Sequence, residues 1–271
     1  MTGEIENSFI SEYDAAVHQA YQRQGSMLRG SCRTKPMVVG NKLIWQKTGK
    51  GTASSKGRHA LVPTMNVSHD PVEVTLTDHY AADWVDRFDL LKTNIDEMQV
   101  QANAGAWALG RKTDDLVIAA ATKASADIAH DSTGMTLAKS LQVVQHFMDN
   151  DVPFDGQIYA ILPPRGWTDL MQLKEFASAD YIEKKPFTDG PAYRWKDWNG
   201  INWMFHTGVV QTDSTWACLA WHQTAIGHAI GEDVQTVVSY ENTRASWFVN
   251  SHMSQDAKRI DDTGVCHFEI Q

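Results

Sequence analysis

Cysteine is scarce in this chain. Three residues, Cys32, Cys218 and Cys266, are spread over 271 positions. That excludes a disulfide scaffold and a CxxC metal knuckle, and it suits a reducing compartment. Long apolar runs are missing too. Leu116–Ala121 is among the longest, far short of the roughly 20 residues a membrane helix needs, so no membrane partner is expected. The opening Met1-Thr2-Gly3-Glu4-Ile5-Glu6 has neither the basic start nor the apolar stretch of a secretory signal. Catalytic signatures are absent as well. A phosphate loop around Gly49-Lys50 would need a glycine where Ile44 stands, and no G-x-G-x-x-G turn, G-x-S-x-G elbow or H-E-x-x-H helix occurs.

Acidic residues are missing from one stretch. Residues 15–69 carry nine bases (Arg23, Arg29, Arg33, Lys35, Lys42, Lys47, Lys50, Lys56 and Arg58) and no acid, whereas residues 1–14 carry four acids and no base. The remainder, 70–271, therefore holds 24 − 9 = 15 bases and 33 − 4 = 29 acids, a net of −14. The total of −9 argues against a general nucleic-acid binder. Three readings of the basic stretch stand: a solvated face, a nucleic-acid arm, or a ribbon that docks on the acidic body of a second copy.

With 42% hydrophobic and 21% charged residues the chain is globular, and at this length folding buries roughly three quarters of the unfolded surface. Residues 37–46 read as strand, and 48–58 as a mobile loop rich in Gly, Ser and Lys. Pro71–Thr77 alternates and reads as the returning strand. The result is a long ribbon that needs a surface to lie on. A long helix follows, with Asn94 and Glu97 as its capping signal and Gly105 and Ala106 on its packed stripe. From Met135 the pattern is mixed α/β, with strands at 157–162, 215–221, 245–250 and 264–270, helices at 137–148 and 167–177, and a hairpin at Asn199-Gly200.

The eleven histidines raise a metal reading. His206, His222 and His228 are its candidates, as ligands of a soluble metal-dependent hydrolase, but their spacing shows no convergence. Asp114-Asp115 are neighbours that point about 100° apart on a helix, so they form no catalytic dyad and read as a solvated face. Most of the ten tryptophans read as core, with subunit contacts as the second reading.

The order of parts (arm, basic ribbon, Ala-rich helix, α/β body, closing strand) resembles the major capsid proteins of tailed bacteriophages, with the Hong Kong 97-type α+β fold. Ala104–Asp115 with Ile118–Thr122, Ala225–Val234, Asn250–Ser254 and Arg259–Val265 carry the local likeness. The resemblance implies an N-terminal arm at 1–36 and an extended β-hairpin loop at 37–80. It implies a peripheral domain from 81–134 and 241–271, with the long helix as its spine, and an axial domain at 135–240. It makes Trp45, Lys50, Lys56 and Arg58 the candidates for contact between subunits. No catalytic, cofactor-binding or metal residue is expected, and no cofactor. The implied partners are further copies in pentamers and hexamers, a separate scaffolding protein, a portal and a decoration protein. Double-stranded DNA would be enclosed without sequence-specific binding, in a virion assembled in the host cytoplasm. An encapsulin-type nanocompartment shell, of the same fold, is the nearest alternative.

Overall fold

A computed structural model describes residues 22–92, 96–177 and 195–271. In chain order its elements begin with β1 (Arg33–Lys35), β2 (Lys42–Thr48), β3 (His69–Thr75), β4 (Thr77–Asp86), α1 (Arg87–Lys92) and α2 (Glu97–Ala121). Then come α3 (Leu137–Asp149), β5 (Ile158–Leu162), α4 (Pro164–Gln172), α5 (Lys174–Ala177), β6 (Lys196–Trp198), β7 (Ile201–Phe205) and β8 (Gln211–Thr212). The chain closes with β9 (Thr215–His222), β10 (Ile226–Glu241), β11 (Ser246–Arg259) and β12 (Val265–Ile270). No described helix is long and apolar enough to cross a membrane.

The strands form three sheets. One runs β1-β10-β11-β4, a second runs β12-β9-β5-β7-β6 with β8 on β9, and β2-β3 form a separate ribbon. The pairing cuts across the divisions expected from the sequence. β10, expected with 135–240, pairs with β11 along its length. β12, expected with 241–271, pairs with β9. The chain crosses between sheets at both places, and nothing in local composition marks a crossing.

The six-stranded sheet is buried on both faces, which is why its strands read as unbroken apolar runs. Along β5, β7, β9 and β12 alternate residues fall into two cores. Ile158, Ala160, Trp203, Cys218, Ala220, Cys266 and Phe268 pack with Val143 and Phe147 of α3 and with Trp167 and Leu170 of α4. Ile161, Met204, Leu219, Trp221 and Val265 pack on the opposite side with Val117, Ile118 and Ala121 at the end of α2, and with Leu28. Trp198, Trp203 and Trp221 are core residues, as their sequence suggests. At the β6–β7 hairpin, Asn199 and Gly200 take φ of 54° and 74°, the left-handed pair that a two-residue turn requires.

α2 begins at Asp96, whose carboxylate accepts the Gln99 N–H. Asn94, expected as its cap, lies outside the described residues, as does most of the helical piece expected at 11–24. Of the two small residues expected on the packed stripe, one is fully packed. Gly105 is buried and Ala106 only half-buried. A Cβ on Gly105 would lie 2.7 Å from Ser251 Oγ and 3.3 Å from the Ala81 carbonyl, so the helix lies directly on β4 and β11. Gly105→Leu is therefore expected to cost about 1–3 kcal/mol by overpacking. Ala106→Leu should lose less, and urea unfolding of the two variants checks the order.

Candidate assembly surface

β2 and β3 pair from Lys42↔Thr75 to Thr48↔His69, and the loop between them projects. Every residue from 50 to 66 is exposed, including Leu61 at 94%, Val62 at 72% and Met65 at 57%. Lys56 donates to the Ala60 carbonyl of its own loop, at 3.2 Å, and Arg58 is exposed beside it. The root of the ribbon is different. Trp45 is 6% exposed and packs with Val74, Ala229 and Ile260. Its ring lies where a Cβ on Gly227 would fall, at 2.6–2.8 Å. The ribbon thus rests on its own chain, and little of Trp45 is left for a neighbour.

Charge reinforces that seat. Lys47 Nζ meets Asp261 at 2.9 Å and Lys50 Nζ meets Asp151 at 2.8 Å, and the Lys50 bond holds the Asp151 carboxyl below its usual range. Arg23, Arg29 and Lys42 also pair with Asp114, Asp233 and Glu73. Five of the nine bases of the acid-free stretch are therefore answered by acids of the same chain. Arg33, Lys35, Lys56 and Arg58 remain at the surface. Lys50 is thus tethered, though by an exposed pair that salt screens.

The arm is fastened by a buried acid. Asp114 lies on α2, fully buried, and accepts from Ser26 Oγ at 2.6 Å, from the N–H groups of Met27 and Leu28 at 3.0 Å each, and from Arg23 at 3.2 Å. His206 closes the network at 3.1 Å. The Gly208 N–H donates to His206 Nδ1 at 3.0 Å, and His206 Nε2 lies between Asp114 Oδ2 and Arg23 Nη1, the latter at 2.6 Å. Burial alone pushes the Asp114 carboxyl up. The bonds from His206, Ser26, Leu28 and Met27 outweigh it and hold the carboxyl below its ordinary value. Only Asp115 of the pair is solvated; reading both acids as a solvated face fails for Asp114. The room for this clasp comes from Gly110, where a Cβ would lie 2.5 Å from the Gly25 backbone.

The three histidines considered as metal ligands do not converge. His206 serves Asp114, His222 bonds Asp155 at 3.2 Å and Thr224 at 2.8 Å, and His228 bonds Gln255 at 2.9 Å. The sequence reading missed the clasp that Asp114 forms. Its partners at 23–28 lie nearly ninety residues away, and the only local signal is the small Gly110 one turn earlier.

A family model described as phage capsid protein matches residues 5–271. No curated protein sequence matches the chain. Among solved structures, the fold is similar to the capsid of cyanophage P-SCSP1u, with a TM-score of 0.77 at 12% identity over 98% of this chain and 94% of that one. Similar too is the capsid of a native GTA particle, with 0.74 at 13% over 98% and 97%. A Mycobacterium phage Che8 chain gives 0.71 at 14% over 97% of both. The family named is the phage capsid, and the nanocompartment alternative is not favoured. With that family matched along nearly its whole length and its mixed α+β fold shared with assembled capsids, the chain belongs to the phage capsid proteins, structural components of a virion shell.

Proposed function

We propose that this chain is the major subunit of an icosahedral phage head, set as pentamers and hexamers into a shell around double-stranded DNA whose sequence it does not read. The ribbon at 37–80 would reach over a neighbouring subunit, with α2 as the spine. The four-stranded sheet would be the body of a peripheral domain and the six-stranded sheet that of an axial domain. A scaffolding protein, a portal and a decoration protein would complete assembly, in the host cytoplasm. The observation that carries this reading is the ribbon tip. A projecting loop that bares Leu61, Val62 and Met65 beside Lys56 and Arg58 has contact area its own chain does not cover, and exposed apolar clusters mark interaction surfaces. Many weak contacts of this kind, repeated by symmetry, hold a closed shell.

The triple variant Lys50→Glu, Lys56→Glu, Arg58→Glu tests it. The subunit's melting temperature should stay nearly unchanged, since the chain's own fold loses two exposed contacts, the Lys50–Asp151 pair and the Lys56 bond to the Ala60 carbonyl. Shell yield by sedimentation should fall strongly, and raised salt should lower wild-type yield in the same direction. A nucleic-acid role for the tip predicts normal empty shells with weakened DNA association. Wild-type yield of shells from the triple variant would sink the docking of the tip on a neighbour.

A further inference from the structure

Away from the ribbon, three stretches of chain bring ligand atoms together. The Asp127 carboxylate follows α2, the His146 ring sits in the last turn of α3, and Cys266 Sγ lies on β12. One ligand atom from each falls within 4.8 Å of the other two. Among the described residues no other group of three such side chains does this. Sulfur, imidazole nitrogen and carboxylate oxygen together suit zinc, whereas calcium and magnesium take oxygen alone.

The surroundings are built for a ligand. His146 Nε2 is buried without a hydrogen-bond partner, a costly state for a polar atom. Cys266 is a free, fully buried thiol. The hydrogen bonds Asp127 accepts, from Lys123 Nζ at 2.7 Å and from the His267 N–H at 2.8 Å, both fall on Oδ2. The backbone is fixed as well. The Asp127 N–H donates to the His267 carbonyl, and Ile128 bridges Phe268 in parallel fashion, so Asp127 is stitched beside Cys266.

We propose that Asp127, His146 and Cys266 hold a zinc ion whose fourth position is open to water. The ion takes the place of the thiol proton, which leaves to solvent as Sγ becomes a thiolate ligand. The bound ion ties the exit of α2, the end of α3 and β12 into one joint beneath the six-stranded sheet.

The full-length chain, stripped with a chelator and titrated with Co²⁺ alone and then Zn²⁺ alone, tests this. One Co²⁺ per chain should give tetrahedral visible bands and a thiolate-to-cobalt charge-transfer band, both erased by Zn²⁺, and Zn²⁺ should raise the melting temperature. Cys266→Ser should lose the charge-transfer band, and Cys218→Ser, buried nearby but outside the group, should keep it. His146→Gln leaves the core thiol in place and should weaken Co²⁺ binding roughly tenfold or more, so it decides the matter if Cys266→Ser does not fold. A wild type without the thiolate band, a band that survives Cys266→Ser, or unchanged affinity in His146→Gln overturns the site.

Discussion

Replacing Asp114 with alanine is expected to unfasten residues 23–28 from α2 and to cost about 3–5 kcal/mol, the scale for removing one partner of a buried ion pair. The loss is large because the carboxylate answers several donors at once. Without it, Ser26, the Met27 and Leu28 N–H groups, Arg23 and His206 lose their shared acceptor. Arg23, whose side chain is 19% exposed, can turn to water, but His206 is 1% exposed and cannot. At about 2–4 °C per kcal/mol the melting temperature should drop by about 6–20 °C. Trypsin should also cut faster after Arg23 and Arg29 in the variant than in the wild type. An unchanged cleavage rate would mean that the arm is held by something else.

The same acid sets a pH dependence whose sign is fixed. The folded-state pKa of Asp114 lies below its ordinary value, so the unfolded chain binds the proton more readily than the folded one. The stabilisation is complete above the unfolded value, about 3.9, and is lost as pH falls through the lower folded value. Wild-type stability should therefore decline on acidification through this range. Asp114→Asn, similar in shape and without a titrating group, should be less stable at neutral pH and lose less below about pH 4. Parallel slopes for the two proteins in urea titrations across pH 2–5 would contradict this assignment.

The parts that were legible in the sequence are those whose signal is local. Asn199-Gly200 demands left-handed dihedrals and forms the hairpin turn. The Gly- and Lys-rich loop at 48–58 is exposed throughout its centre. Gly105, expected on the packed stripe of the long helix, is buried where that helix meets β4 and β11. What was hidden depends on distant chain. β11 runs on to Arg259, past the strand end expected at Asn250, because its backbone is paired on both edges, by β10 and β4, while its alternate residues Ser251, Met253 and Gln255 are buried against α2. Thr113 of α2 and His228 of β10 both bond Gln255 there. Asp114 reads as half of a solvated pair until residues 23–28 fold over it. Trp45 reads as a ribbon contact for a neighbour until Gly227, on another sheet, makes room for its ring. The capsid resemblance rested on the order of parts, which survives where identity to solved capsids is only 12–14%.

Gly110→Ala should destabilise the wild type and stabilise the Asp114→Ala variant. Two opposed effects meet at this position. In a helix interior alanine is better than glycine by roughly 1 kcal/mol. Against that, a Cβ at 110 would lie 2.5 Å from Gly25 Cα and C and 2.9 Å from Ser26 N. These are backbone atoms, so no side-chain rotation relieves the clash; the arm itself must rise. Overpacking of this kind costs about 1–3 kcal/mol, and lifting the arm stretches the Asp114 hydrogen bonds, so the steric effect wins while the clasp is closed. Once Asp114→Ala has freed the arm, the clash has no object and only the helix gain of roughly 1 kcal/mol is left. A double-mutant cycle by urea unfolding should therefore show a coupling energy well above the few tenths expected of independent sites. Gly25→Ala is the control. Gly25 sits at φ +75° with open space around its Cβ position, so its cost is the left-handed backbone alone, roughly 1–2 kcal/mol, and it should leave the sign of the Gly110 effect untouched. If Gly110→Ala has the same sign and size in both backgrounds, Gly110 and Asp114 do not hold the arm together.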